Sequence, residues 1–208
     1  NTLQSTFNGA GGINVDLGKW DTSKVTNMMW TFSDAVTFDG AGLNTWKTGL
    51  VTDMHGTFHR AGAVNADLGG WDTTQVSTLA FTFSEAANFA GVGLDKWRTG
   101  LVSTMYSTFR GTSLTDVNLG AWDVSLVATL SSTFQSANKF IGNGLDTWKT
   151  GKVINMGNMF RGASSMNVNV GGWDTSQVNA LAWAFMGASA FTGLGLEKWD
   201  TTRVPSLS

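Results

Sequence analysis

The sequence predicts an α/β solenoid, a leucine-rich-repeat-like right-handed coil of about eight 25/26-residue repeats with one parallel sheet. Three observations predict it. Eight tryptophans fall on a ruler (Trp20, Trp46, Trp71, Trp97, Trp122, Trp148, Trp173 and Trp199), with gaps alternating between 26 and 25 residues. A phenylalanine keeps the same step at Phe7, Phe32, Phe58, Phe83, Phe109, Phe134, Phe160 and Phe185, twelve residues after its tryptophan in the first seven units. A valine stands five residues after every ruler tryptophan, from Val25 to Val204. A fixed period in the twenties means a stack of short units, each unable to bury its apolar face alone.

The elements follow with the ruler tryptophan taken as position zero. The segment before it, such as 15–20, reads as a short extended strand whose −3 residue is aliphatic: Leu17, Leu43, Leu68, Leu94, Leu119, Leu145, Val170 and Leu196. Gly and Asn/Asp supply the turns that follow. Position +8 is Met or Leu (Met28, Met54, Leu79, Met105, Leu130, Met156, Leu181, Leu207), position +12 is the ruler Phe, and position +15 is small. Steps of four and three keep one face inward, so this stretch reads as a helix of about two turns. Strands stacked coil over coil at about 4.8 Å would form the sheet.

A longer period of 51 residues overlies the first, because two unit types alternate. One carries Phe-x-Gly-x-Gly-Leu before its tryptophan, as at 38–43 and 89–94. The other carries Asp/Asn-Leu/Val-Gly-x-Trp, beginning at Asp16, Asp67, Asn118 and Asn169. The residue after the tryptophan alternates in sign through Asp21, Lys47, Asp72, Arg98, Asp123, Lys149 and Asp174, a pattern expected to attract between stacked units. Residues 1–208 therefore form a single repeat array.

Composition narrows the function classes. Charged residues are only 13% of the chain and the net charge is −2 with no basic block, which argues against a nucleic-acid partner. No apolar run reaches the roughly 18 residues a transmembrane helix needs. There is no cysteine, so disulfides and thiolate metal sites are excluded.

The copies Trp20-Asp21-Thr22-Ser23-Lys24-Val25-Thr26-Asn27-Met28, running on to Phe32, and Trp173-Asp174-Thr175-Ser176-Gln177-Val178 resemble the BspA-type leucine-rich surface repeat. That is a 25/26-residue repeat of bacterial surface lipoproteins, also found in protists and algae. The resemblance spans the whole chain. It implies a leucine-rich-repeat-like coil with roles in surface attachment or protein contact, and it transfers no catalytic residue.

Trp20, Trp46, Trp71, Trp97, Trp122, Trp148, Trp173 and Trp199, with Phe32, Phe58, Phe83, Phe109, Phe134, Phe160 and Phe185, are expected to be structural core. Off-ruler aromatics are the partner-binding candidates. Position +10 holds Trp30, Phe81 and Trp183, and position +9 adds His55 and Tyr106. They are expected to form a row of partly exposed rings spaced by two coils, about 10 Å, available to a partner or a sugar. His55 and His59 have the i, i+4 spacing of a metal pair, but no acidic residue joins them and no other unit repeats them. Threonine columns at +2 (Thr22, Thr48, Thr73, Thr99, Thr150, Thr175, Thr201) and +11 (Thr31, Thr57, Thr82, Thr108, Thr133) would suit an ice-binding ladder or, more simply, turn hydrogen bonding. The carboxylates Asp95, Asp146 and Glu197 stack as a column without a convergent catalytic set.

The expected function is accordingly a non-catalytic scaffold for protein–protein contact, without cofactor or metal, either as an adhesion module at the cell surface or secreted, or as a structural subunit of an intracellular or organellar assembly. The alternative is a carbohydrate-binding or carbohydrate-active protein using Trp30, Phe81 and Trp183 as stacking platforms. Leu3 and Phe7 at one end, with Val204 and Leu207 at the other, are in register with the repeat, so further repeats or a neighbouring subunit are expected to cover the ends.

Overall fold

The computed structural model describes residues 1–205, so Leu207 lies outside the described residues. The repeat stacks coil upon coil as its period requires. One residue per coil forms a parallel bridge to the next, in the single column Thr2, Asn27, Asp53, Thr78, Thr104, Thr129, Asn155 and Ala180. The coils themselves are not those of an α/β solenoid. Among the described residues there is no α-helix and no strand longer than one bridged residue. The regular elements are four three-residue 3₁₀ turns, Leu43–Thr45, Leu94–Lys96, Leu145–Thr147 and Leu196–Lys198. Both the expected two-turn helix and the expected parallel sheet are thus corrected.

The backbone hydrogen bonds give the reason. In the first complete coil the amides of Met28, Trp30, Phe32 and Asp34 donate outward to Asp53, His55, Thr57 and His59 of the next coil. The intervening amides of Thr31, Ser33 and Ala35 donate back three residues, to Met28, Trp30 and Phe32. An α-helix needs every amide to reach back four residues. Here alternate amides point along the stack, because positions +10 and +14 are left-handed: φ is 54° at Trp30 and 57° at Asp34. Each later coil repeats this with Gly56 and Arg60, Phe81 and Glu85, Ser107 and Gly111, through to Trp183 and Gly187. A chain of tight turns returns the +8 and +12 side chains to the same inner face, which is why its spacing imitates a helix.

The segment before each ruler tryptophan is likewise a turn. The side chains of Asp16, Asp67, Asn118 and Asn169 each accept the amide of the glycine two residues on, at 2.8–2.9 Å. In the alternate units a left-handed glycine leads into the 3₁₀ turn.

Inside, side chains stack as columns. The ruler phenylalanines from Phe7 to Phe185 form an unbroken pile with ring centroids 5.3–5.7 Å apart. Phe38, Phe89, Phe140 and Phe191 stack against its alternate members at 4.0–4.7 Å. The tryptophans pile beside them, with neighbouring centroids such as Trp97–Trp122 at 6.0 Å. Each indole from Trp46 onward also stitches coils together, donating its Nε1–H to the −3 carbonyl of the preceding coil, as Trp71 does to Leu43 at 2.8 Å and Trp122 to Leu94 at 2.8 Å. A buried indole needs such an acceptor, which ties this column to tryptophan rather than phenylalanine. Trp20 departs from the expected core: it is 42% exposed, being stacked on Trp46 but on no preceding indole. Phe185 and Trp199, in the last coil, are half-buried.

Apart from the exposed Thr201 of the last coil, the threonine columns face inward, which removes the ice-binding ladder. Thr48, Thr73 and Thr99 are each 2% exposed, and their hydroxyls donate to carbonyls of the next coil. The +11 hydroxyls are fully buried; that of Thr82 donates to Leu79 O at 2.8 Å and Met54 O at 3.0 Å. Thr82→Val keeps the shape and removes both bonds, and is expected to cost about 1 kcal/mol in a urea unfolding titration. The sign-alternating column makes no ion pairs among the described residues; the pairs present are Arg60–Asp34 and Arg110–Glu85. Its aspartates instead hold turns. Asp72 accepts the Thr74 hydroxyl at 2.7 Å and amide at 3.0 Å, and these bonds keep its carboxyl below the ordinary range.

Candidate functional site

The left-handed turns aim the +9 and +10 side chains away from the core, onto one flank of the stack. Their bulk differs from coil to coil: Trp30, Gly56, Phe81, Ser107, Ser132, Asn158 and Trp183 at +10. Gly56 decides the geometry. A β-carbon there would meet ring atoms of Trp30 at 2.1 and 2.2 Å, so the indole lies directly over this glycine. Leaning across that coil, Trp30 reaches Phe81 with centroids 6.1 Å apart. The expected 10 Å row of separate rings is therefore corrected to a contiguous cluster.

The histidines flank the same indole. His55 meets Trp30 edge-on at 4.7 Å and His59 does so at 5.5 Å; both also touch Phe81, at 5.5 and 5.9 Å. Tyr106 closes the far side, edge-on to Phe81 at 5.0 Å, and is 39% exposed. Trp30, His55, His59 and Phe81 are each partly exposed. The Arg60–Asp34 and Arg110–Glu85 pairs lie on neighbouring turns. Aromatic rings in mutual edge-on and tilted contact make a firm surface that remains open to solvent.

Burial pushes both imidazoles below the ordinary histidine range; at His59 the Arg60 charge adds to this, while Asp34 and Glu85 oppose it. Four of the five expected partner-binding residues thus meet: Trp30, His55, Phe81 and Tyr106. Trp183 does not join them. It stands in the seventh coil, 54% exposed, with the Arg161 guanidinium 5.8 Å above its ring. His59 belongs to the cluster although its sequence position suggested only a metal pair. Among the described residues no three His, Asp or Glu side chains converge as a metal centre. Asp95 and Asp146 do share a shallow hollow of about 570 Å³ with Asn118 and Thr147, lined otherwise by backbone and small residues.

Stacked turn-built coils with a stitched aromatic interior and one off-core ring cluster define a repeat protein. The chain belongs to the family described as Mycoplasma protein of unknown function, DUF285, whose model matches residues 1–119 and again residues 103–208. The two matches begin two 51-residue periods apart, so the family unit follows the coil register. No curated protein and no solved structure matches the chain.

Proposed function

We propose that this chain is a non-catalytic repeat scaffold that makes protein–protein contacts through the Trp30–His55–His59–Phe81–Tyr106 cluster. The observation that carries the reading is that these rings lie outside the core, packed on one another yet open to water. Large aromatics held rigid at a surface, with few rotatable bonds to immobilise, are what contact hot spots are made of. The resemblance to BspA-type surface repeats supports placing the scaffold at a cell surface; a structural subunit of a larger assembly is the other setting.

The test is proximity crosslinking and pull-down from the source cells with the wild-type chain and a Trp30→Ala, Tyr106→Ala double variant. The variant is expected to lose the captured protein while its melting temperature moves little, since neither side chain belongs to the stacked interior. Equal capture by both chains would sink the reading. So would glycan-array binding that disappears in a Trp30→Ala, Trp183→Ala variant, which would favour a carbohydrate-directed protein instead.

A further inference from the structure

We infer that the ring cluster is a pH-sensitive surface: with both histidines neutral the His59 imidazole packs edge-on against Trp30 and Phe81, and protonation of His59 turns that imidazole out to water and exposes these two rings further. Its use in docking rests on the contact reading above; the switch itself does not.

The geometry carries the inference. His59 Nδ1 is buried and has no hydrogen-bond partner among the described residues. A neutral imidazole leaves that nitrogen bare, which costs one unmade acceptor. An imidazolium would carry its charge in a half-buried site, where the Ser84 backbone is an acceptor at hand but offsets less than the hydration that burial removes. The surrounding charges relieve it only in part. Arg60, the next residue, repels the cation. Asp34 is paired with Arg60 at 3.8 Å, and Glu85 with Arg110 at 3.1 Å, so each nearby carboxylate is already engaged. Trp30, Phe81 and Tyr106 contribute uncharged rings, and Asp53 acts on His55 rather than on His59. The cheapest response to protonation is rotation of the His59 side chain into solvent, which breaks its edge contacts with Trp30 and Phe81.

The direction in pH follows. Both folded histidines bind protons less readily than the unfolded chain, whose histidines titrate near 6.5. Their contribution to stability is complete above that value and is lost as pH falls below it toward the folded values.

The chain has two histidines, so their ring Cε1–H signals are few enough to follow by NMR on the 208-residue protein, assigned with His55→Gln and His59→Gln. The Trp30 indole N–H is assigned with Trp30→Phe. His59 is expected to titrate below pH 6.5, its ring NOE to Trp30 to vanish over that titration, and the Trp30 signal to move with the same midpoint. In His55→Gln the Trp30 signal is still expected to move with the His59 midpoint, and in the His55→Gln, His59→Gln double variant to stay still over the same range. A His59 titration that leaves the NOE and the Trp30 signal unchanged overturns the inference, as does a Trp30 shift that persists in the double variant. No partner enters this measurement, so its failure is separate from a failure of the capture experiment.

Discussion

Replacing Phe109 with alanine is expected to lower the unfolding free energy by about 3–5 kcal/mol, measured by urea denaturation. Phe109 is fully buried, stacked on Phe83 at 5.7 Å and Phe134 at 5.6 Å and tilted against Trp122 at 5.6 Å. Removing it leaves a hole bounded by rings that are themselves held in their columns, and so cannot collapse into the space. The cavity term therefore adds to the lost transfer energy. Trp20→Ala provides the contrast. Although on the same ruler as the buried indoles, Trp20 is 42% exposed and is expected to cost distinctly less. Equal losses at the two positions would mean that stacking position does not govern the energetics.

The second large effect is expected at Gly93. Its φ is +85°, and a β-carbon there would lie 2.2 Å from Gly69 N and 2.5 Å from both Gly69 Cα and Asp67 Oδ1. Two of these atoms are backbone, and Asp67 Oδ1 is fixed by its bond to the Gly69 amide. Nothing flexible can yield, so Gly93→Ala must push adjacent coils apart. Left-handed strain contributes about 1 kcal/mol and overpacking about 1–3 kcal/mol, for an expected loss of roughly 2–4 kcal/mol in the same assay. Gly12→Ala is the control: its added carbon meets nothing within 4 Å and its φ is not positive, so it is expected to be neutral. A neutral Gly93→Ala would show that the coils can separate there at no cost.

The interior was legible because burial is written into residue type. Any chain repeating Val, Met/Leu, Phe and Trp at fixed steps must bring those columns together, whatever its local backbone. The local backbone was not legible for a specific reason. Spacings of four and three between inward residues arise both from a helix and from a run of turns with left-handed third positions. The signal that separates them is the recurrence of turn-prone residues at +10 and +14, such as Gly56, Asn158, Asp34, Gly111 and Gly162. Trp30, Phe81, Arg60 and Trp183 in the same columns hide it, since bulky side chains rarely take positive φ.

The candidate site divides in the same way. Trp30, Phe81, His55 and Tyr106 stand out as aromatic residues away from the ruler, and the sequence alone singled them out. That Trp30 bridges a whole coil could not be read from spacing, because it depends on the empty space above Gly56 and on the direction of a left-handed residue's side chain. His59 was recruited by the same turn geometry and Trp183 was left out by it.

By itself, then, the sequence determined the period, the stacking order of the coils and the residues that fill the core, because apolar burial depends on side-chain identity and register. Tertiary structure alone decided where each amide points. Within a coil, a donor can satisfy itself three residues back or on the neighbouring coil, and only the presence of that coil, at the right height with a free carbonyl, makes the second choice favourable. The absence of α-helix and of an extended sheet among the described residues follows from that choice, as does the outward flank on which the rings gather.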